Sequence, residues 1–198
     1  MNHLDNLERI RIVFDSLGEL QNRIVFVGGA TVSFYADRQA FEIRQTDDVD
    51  VIVEVLSFPE HAKLEEQLRE KGFSPDIEAK VRCRFIIRTI KVDVMPTTDV
   101  AIGFENRWYP DGFKNAIDYG LDDERIIKIL SAPYFIATKL EAFNDRGRGD
   151  GRTSHDFEDI VYVMENRKSL WQEMANTKGA IKEFLNSIPA AQEHSLFR

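Results

Sequence analysis

Three observations predict an α/β fold: a mixed, mostly antiparallel sheet flanked by helices, with a C-terminal helical portion. Short β-branched runs recur in the first two thirds, at Ile24–Val27, Asp48–Val55 and Lys91–Met95. Apolar residues at three- and four-residue spacing precede the first run (Leu4, Leu7, Ile10, Val13, Phe14, Leu17, Leu20), the mark of an amphipathic helix. Beyond Leu130 the β-prone runs stop and helical patterning takes over.

Taken in order, the first helix ends near Asn22 and a strand occupies Ile24–Val27. Gly28-Gly29 forms a tight turn, because glycine tolerates positive φ, and Ala30–Ala36 is helical. Residues 38 to 46 read as a loop. Asp48–Val55 is a buried central strand, since its β-branched run is nearly continuous. Pro59 opens a helix through Lys71 that Gly72 closes. Lys80–Arg88 and Lys91–Met95 form an antiparallel pair turning near Thr89. An aromatic loop at Phe104–Tyr109 leads to a short helix at Asp111–Tyr119, then a β-prone segment at Arg125–Leu130. Helices follow at Ala132–Asp145 and Thr153–Asn166, separated by the glycine-rich break Gly147–Gly151.

The 198 residues suit one domain, read as a core over 1–130 with a helical portion over 131–198 that completes the site. A 43% hydrophobic content supports an ordinary core. No apolar run reaches the roughly 20 residues a membrane span needs. The N-terminus has no signal-peptide pattern, and Cys83 is the single cysteine, so a cytoplasmic home is expected and Cys83 is read as a buried small hydrophobe. Net charge is −8. That weighs against a large RNA footprint while leaving room for a local one.

The most informative residues are three aspartates. Side chains alternate along a strand, so Asp48 and Asp50 share one face, and Asp93 opposes its neighbours Val92 and Val94. Both segments are otherwise apolar, where an unpaired charge costs several kcal/mol. Carboxylates brought together there call for a cation, and hard oxygen donors suit Mg2+ or Mn2+ with nucleotide phosphates. Gly28 and Gly29 are either a plain turn or a place where backbone N–H groups approach phosphate.

A Gly-Gly pair after a strand, an Asp-x-Asp strand and a third Asp on a later strand resemble the nucleotidyltransferase superfamily, the fold of DNA polymerase beta. Lys139-Leu140-Glu141-Ala142 with Arg146, followed by Asp156-Phe157-Glu158-Asp159, is similar to the Lys-x-x-Ala-x-x-x-Arg and Asp-x-x-Asp pattern of AbiEii-like nucleotidyltransferases, a group that includes the MenT-like toxins. The resemblance covers roughly residues 24 to 165, and departs from it at Gly29, where many relatives carry Ser. It implies transfer of an NMP from an NTP to a hydroxyl on RNA, protein or a small molecule, and an antitoxin partner. It also implies metal ligation by Asp48, Asp50 and Asp93, catalytic roles for these with Lys139 and Asp156, and nucleotide contacts from Gly28, Gly29, Thr31, Lys139 and Arg146. A non-catalytic nucleotide-binding or interaction module on the same fold is the alternative.

Several residues carry two readings. Lys139, on an apolar helix, either snorkels to water or neutralises phosphate. Asp156 either stabilises a helix start, in a capping box with Thr153, or belongs to the active site. Lys80, Arg82, Arg84, Arg88 and Lys91 are either solvated strand edges or a phosphate-binding strip, with Arg82, Arg84 and Arg88 on one face leading toward Asp93. Arg107 and its aromatic neighbours either grip and stack a nucleotide or pack under a loop.

Overall fold

The computed structural model describes residues 2–37, 44–98, 106–146 and 151–187. Among them, one sheet has the order β3-β4-β5-β2-β1-β7-β6. Its strands are β1 Ile24–Val27, β2 Asp48–Val53, β3 Ser74–Pro75, β4 Arg84–Ile87, β5 Ile90–Pro96, β6 Ile117–Gly120 and β7 Ile126–Ile129. The pairs β2–β5 and β1–β7 are parallel and the others antiparallel, so the sheet is mixed and mostly antiparallel.

The helices are α1 Asn2–Leu17, α2 Phe58–Glu70, α3 Tyr109–Lys114, α4 Ala132–Arg146, α5 His155–Asn166, α6 Leu170–Asn176 and α7 Ala180–Asn186. The buried stripe of α1 is Asn6, Ile10, Val13 and Leu17, a three-four spacing with a polar residue at its head. Ser57 caps α2, its hydroxyl accepting from Glu60 N–H, and Gly72 leaves the helix at φ +89°. Central strands β1 and β5 are buried on nearly every residue, and β2 on all but Asp48 and Asp50, which fits their continuous β-branched character.

Two expectations need correction. Residues 111–119 are not one helix: α3 stops at Lys114, and Ile117–Gly120 pairs with β7 as an exposed edge strand. The strand expected from Lys80 starts only at Arg84: residues 80–83 form a bend and a turn, and Cys83 O already accepts from Val94 N–H at 2.9 Å where the chain joins the ladder. The helix read at Ala30–Ala36 is present as a 3-10 helix, Gly29–Tyr35. The loop residues 38–43, the start of the aromatic loop at 104 and 105, and 147–150 of the glycine-rich break lie outside the described residues.

Candidate active site

Parallel pairing of β2 with β5 sets Asp50 opposite Asp93, and Asp48 one pleat along on the same face as Asp50. One carboxylate oxygen from each of Asp48, Asp50 and Asp93 lies within 4.8 Å of the others. The register explains the convergence: the apolar alternates Val49, Val51, Val92 and Val94 are buried and lock which face the acids take. Gly28 ends β1 beside them at φ +72°, and a Cβ there would overlap the Asp50 carboxylate. Glycine is thus required both for the backbone angle and for the close approach.

Burial, then repulsion from Asp48 and Asp93, pushes the Asp50 carboxyl up to about 7, against the opposing pull of Lys139 and Arg146. A site that resists full ionisation of its own carboxylates favours a cation, and an all-oxygen donor set fits Mg2+ or Mn2+. The sign of the pH effect follows. A divalent ion binds the ionised form, so below pH 7 it must displace a proton. Titration of Mn2+ binding by electron paramagnetic resonance between pH 5.5 and 8.5 should show affinity rising up to about tenfold per pH unit below 7 and levelling above it. A flat profile would contradict Asp50 as a ligand.

Arg84 faces Asp93 across the β4–β5 pair. Its Nε donates to Asp93 Oδ1 at 2.7 Å, and Nη2 donates to Asp93 Oδ2 at 2.7 Å and Asp48 Oδ2 at 2.8 Å. One guanidinium therefore orients two of the three acids. This divides the expected basic strip: Arg84 is committed to the carboxylates, Arg88 sits in the β4–β5 turn at φ +56°, off the strand face, and Lys80 and Arg82 line a cavity beside Asp50.

A second ionic chain comes from α4 and α5. Lys139 is 7% exposed and does not snorkel. Its Nζ lies 3.1 Å from Asp156 Oδ1 and 2.7 Å from Asp159 Oδ2. Spacing of three residues puts both acids on one face of α5. Arg146, seven residues along α4, donates to Asp156 through Nε at 2.8 Å and Nη2 at 3.1 Å. Burial alone would raise the Asp156 carboxyl, but the Arg146 hydrogen bonds and the Lys139 and Arg146 charges outweigh it and hold it below the usual carboxylate range. Neither Thr153 nor Asp156 caps α5; the Ser154 hydroxyl does, accepting from Phe157 N–H.

Among the described residues, two adjoining cavities open on these groups. One of about 380 Å³ is lined by Val27, Gly28, Lys80, Arg82, Met95 and Tyr109 among others, with Asp50, Asp93, Lys139, Arg146 and Asp156 shared with its neighbour. The other, about 780 Å³, is lined by Gly29, Arg44, Thr46, Asp48, Arg84 and Ser154 among others. Asp48, Asp50, Asp93, Lys139, Arg146, Asp156, Gly28 and Gly29 are thus brought together. Thr31 is not: it is fully buried, and its hydroxyl donates to Gly28 O at 2.9 Å, closing the turn rather than facing the cleft. Arg107 also stands apart, paired with Glu141 at 3.0 Å and stacked on Trp108 and Phe184. Cys83 lines the smaller cavity, but burial and the Asp93 charge push its thiol up to about 12, which fits no nucleophile.

Sequence reasoning missed Arg44, Thr46, Arg84's role and Asn6. Arg44 and Thr46 lie just ahead of β2, in the segment read as a loop, where side-chain alternation gives no signal. Asn6 falls outside the apolar stripe read in the sequence, and only its burial marks it.

The fold and site can now be set beside known proteins. The antibiotic-resistance factor ANT(2″)-Ia, in its solution structure, superposes with a TM-score of 0.59 at 18% identity, covering 98% of this chain and 97% of that one. A crystal structure of ANT(2″)-Ia with adenylyl-2″-tobramycin gives 0.57 at 16% identity, covering 91% and 97%. At such identities the likeness concerns the fold, which is that of the nucleotidyltransferases. No curated protein matches the chain. The family described as "Nucleotidyl transferase AbiEii toxin, Type IV TA system" matches over residues 11–192. This chain belongs to the AbiEii nucleotidyltransferase toxin family.

Proposed function

We propose that the chain moves a nucleoside monophosphate from an NTP to an acceptor hydroxyl at Asp48, Asp50 and Asp93, with divalent metal, and releases pyrophosphate. The observation that carries this reading is the convergence of three carboxylates within 4.8 Å beside a glycine turn and a buried, doubly paired lysine. Asp48, Asp50 and Asp93 would hold Mg2+ or Mn2+, whose chemistry is to stabilise the attacking and leaving oxygens of an in-line displacement. Asp93 also takes part in removing the acceptor proton, held in place by the Arg84 fork. The Gly28-Gly29 turn, with no Cβ, lets backbone approach the triphosphate. Lys139 and Arg146 offset negative charge that grows during transfer, from a position fixed in advance by Asp156 and Asp159.

The acceptor is a hydroxyl of RNA, protein or a small molecule. With Arg84 committed to the carboxylates and Arg88 displaced, the basic strip that could hold RNA is reduced near the acids to Lys80 and Arg82. The adenylyl-2″-tobramycin held by ANT(2″)-Ia gives a precedent on this fold for a small acceptor. Membership of a toxin family makes an antitoxin a reasonable partner. The described helices include none long and apolar enough to cross a membrane.

Thermal-shift titration with each NTP, with and without Mg2+, paired with a pyrophosphate-release assay, tests this reading. Stabilisation that needs both components, with pyrophosphate released once the acceptor is supplied in cell extract, is expected. Saturable stabilisation without release under any acceptor condition would favour the non-catalytic nucleotide-binding module.

A further inference from the structure

We propose that Arg44 is a phosphate-clamping residue, filling the space above the Gly28-Gly29 turn that a side chain at position 29 would otherwise occupy. The inference rests on the reading of this cleft as a triphosphate site. A Cβ built on Gly29 collides with Arg44 Nη2 and comes within 2.9 Å of Thr46 Cγ2. The guanidinium therefore lies directly against the turn, on the wall of the larger cavity that also holds Asp48 and Asp50.

Its placement is built rather than incidental. Arg44 Nε and Nη2 donate to Asp159 Oδ1 and Oδ2, each at 3.1 Å. Asp159 is 2% exposed and also holds Lys139 Nζ, so its carboxylate is a fixed anchor. The backbone is anchored as well. Buried Asn6 donates from Nδ2 to Arg44 O at 3.3 Å and accepts from Thr46 N–H at 3.3 Å, and Arg9 donates to Thr46 O. The bidentate fork engages two of the five guanidinium N–H groups. The side chain keeps 22% of its surface exposed on the cleft wall.

The arrangement has a physical logic. Arg44 lies in the segment ahead of β2, on the cavity wall it shares with Asp48 and Asp50, so an untethered guanidinium would be drawn onto the metal-binding carboxylates, as Arg84 is. The pair with Asp159 holds it off them and aims it at the turn. A phosphate lying along that turn meets a planar, permanently charged donor that recognises phosphoryl oxygens with directional hydrogen bonds. Lys139 differs: it is almost wholly buried and spends its ammonium on Asp156 and Asp159, so it contributes charge without reach.

The test is isothermal titration calorimetry with two probes in the presence of Mg2+: an NTP with a methylene bridge between its α- and β-phosphates, and inorganic tripolyphosphate. Arg44→Lys preserves one positive charge for Asp159 but cannot hold it and reach the turn together. It should weaken both probes by about 10- to 100-fold, the range of one charge-assisted hydrogen bond, while circular dichroism and melting stay near wild type. Should that variant fold poorly, Arg44→Gln with Asp159→Asn removes both charges of the pair and should show the same loss. Wild-type affinity for both probes in a folded Arg44 variant would overturn the inference and leave Arg44 only a partner of Asp159. Loss confined to the NTP analogue would also overturn it, since the contact would then not be to phosphate. Failure of the wild-type protein to bind either probe would overturn the triphosphate reading itself and the inference with it.

Discussion

Asp50→Asn is expected to reduce nucleotidyl transfer by at least about 10³-fold, while raising the melting temperature of chelator-treated protein at pH 8. The loss follows from removing the carboxylate that sits between Asp48 and Asp93 in the register, whose share of charge stabilisation at the reacting phosphate amounts to several kcal/mol. The gain in stability has the opposite origin. Burial and two neighbouring carboxylates raise Asp50 to about 7, so the folded protein holds this proton more tightly than the unfolded chain does. Stability from this group is present at low pH and is lost as pH rises from about 4 toward and past 7. An amide is neutral at every pH and escapes that cost. Differential scanning calorimetry at pH 5.5 and pH 8, with a matched activity assay, checks both halves. Lower stability of the variant at pH 8 together with retained transfer would remove Asp50 from the site.

Lys139→Met should lower stability by about 3 kcal/mol and slow transfer by about 10²-fold. Methionine matches the volume but leaves Asp156 and Asp159, both nearly inaccessible, with one cation fewer. Breaking a buried ion pair from one side costs roughly 3–5 kcal/mol. The low end applies because Arg146 still serves Asp156 and Arg44 still serves Asp159. For a chain of this size that is a fall of about 6–12 °C in melting temperature. The kinetic loss reflects one preorganised charge withdrawn from the reaction. Chemical denaturation and steady-state kinetics on the same preparation separate the two effects. A variant as stable as wild type would return Lys139 to a surface role that its burial argues against.

The sheet core was legible because burial on both faces writes itself as β-branched runs. Ile24–Val27, Asp48–Val53 and Ile90–Pro96 differ little from the segments read in the sequence, and their alternation predicted that Asp48 and Asp50 share a face and that Asp93 points away from Val92 and Val94. What alternation does not carry is strand order. The neighbouring of Asp50 and Asp93 depends on β5 lying parallel to β2, a long-range pairing. Edge strands were illegible for the converse reason. Ile117–Gly120 is mostly solvent-exposed and ends in glycine, so it lacks the buried alternate residues that betray a strand, and Ser74–Pro75 is too short to show any period.

The site was half legible. Acids in apolar strands announce themselves, because the cost of burying them demands a partner. Their cationic partners do not, since arginine and lysine look alike on a solvated face and in a buried pair. Arg84 was grouped with Arg88 by strand period, although only Arg84 falls on the β4–β5 ladder opposite Asp93. Lys139 held two readings until the packing of α4 against α5 placed Asp156 and Asp159 on its ammonium. Arg44 was hidden because it lies outside any strand or helix, where no period marks a side chain's direction.

Following two radiolabels tests the central claim most directly. Wild-type protein, Mg2+ and cell extract are incubated in parallel with NTP labelled at the α-phosphate and NTP labelled at the γ-phosphate. Nucleotidyl transfer at the aspartate cluster predicts α-label joined covalently to an acceptor, γ-label recovered as pyrophosphate, and both signals lost in Asp50→Asn. Gamma-label on the acceptor, or α-label transfer undiminished in Asp50→Asn, would contradict it.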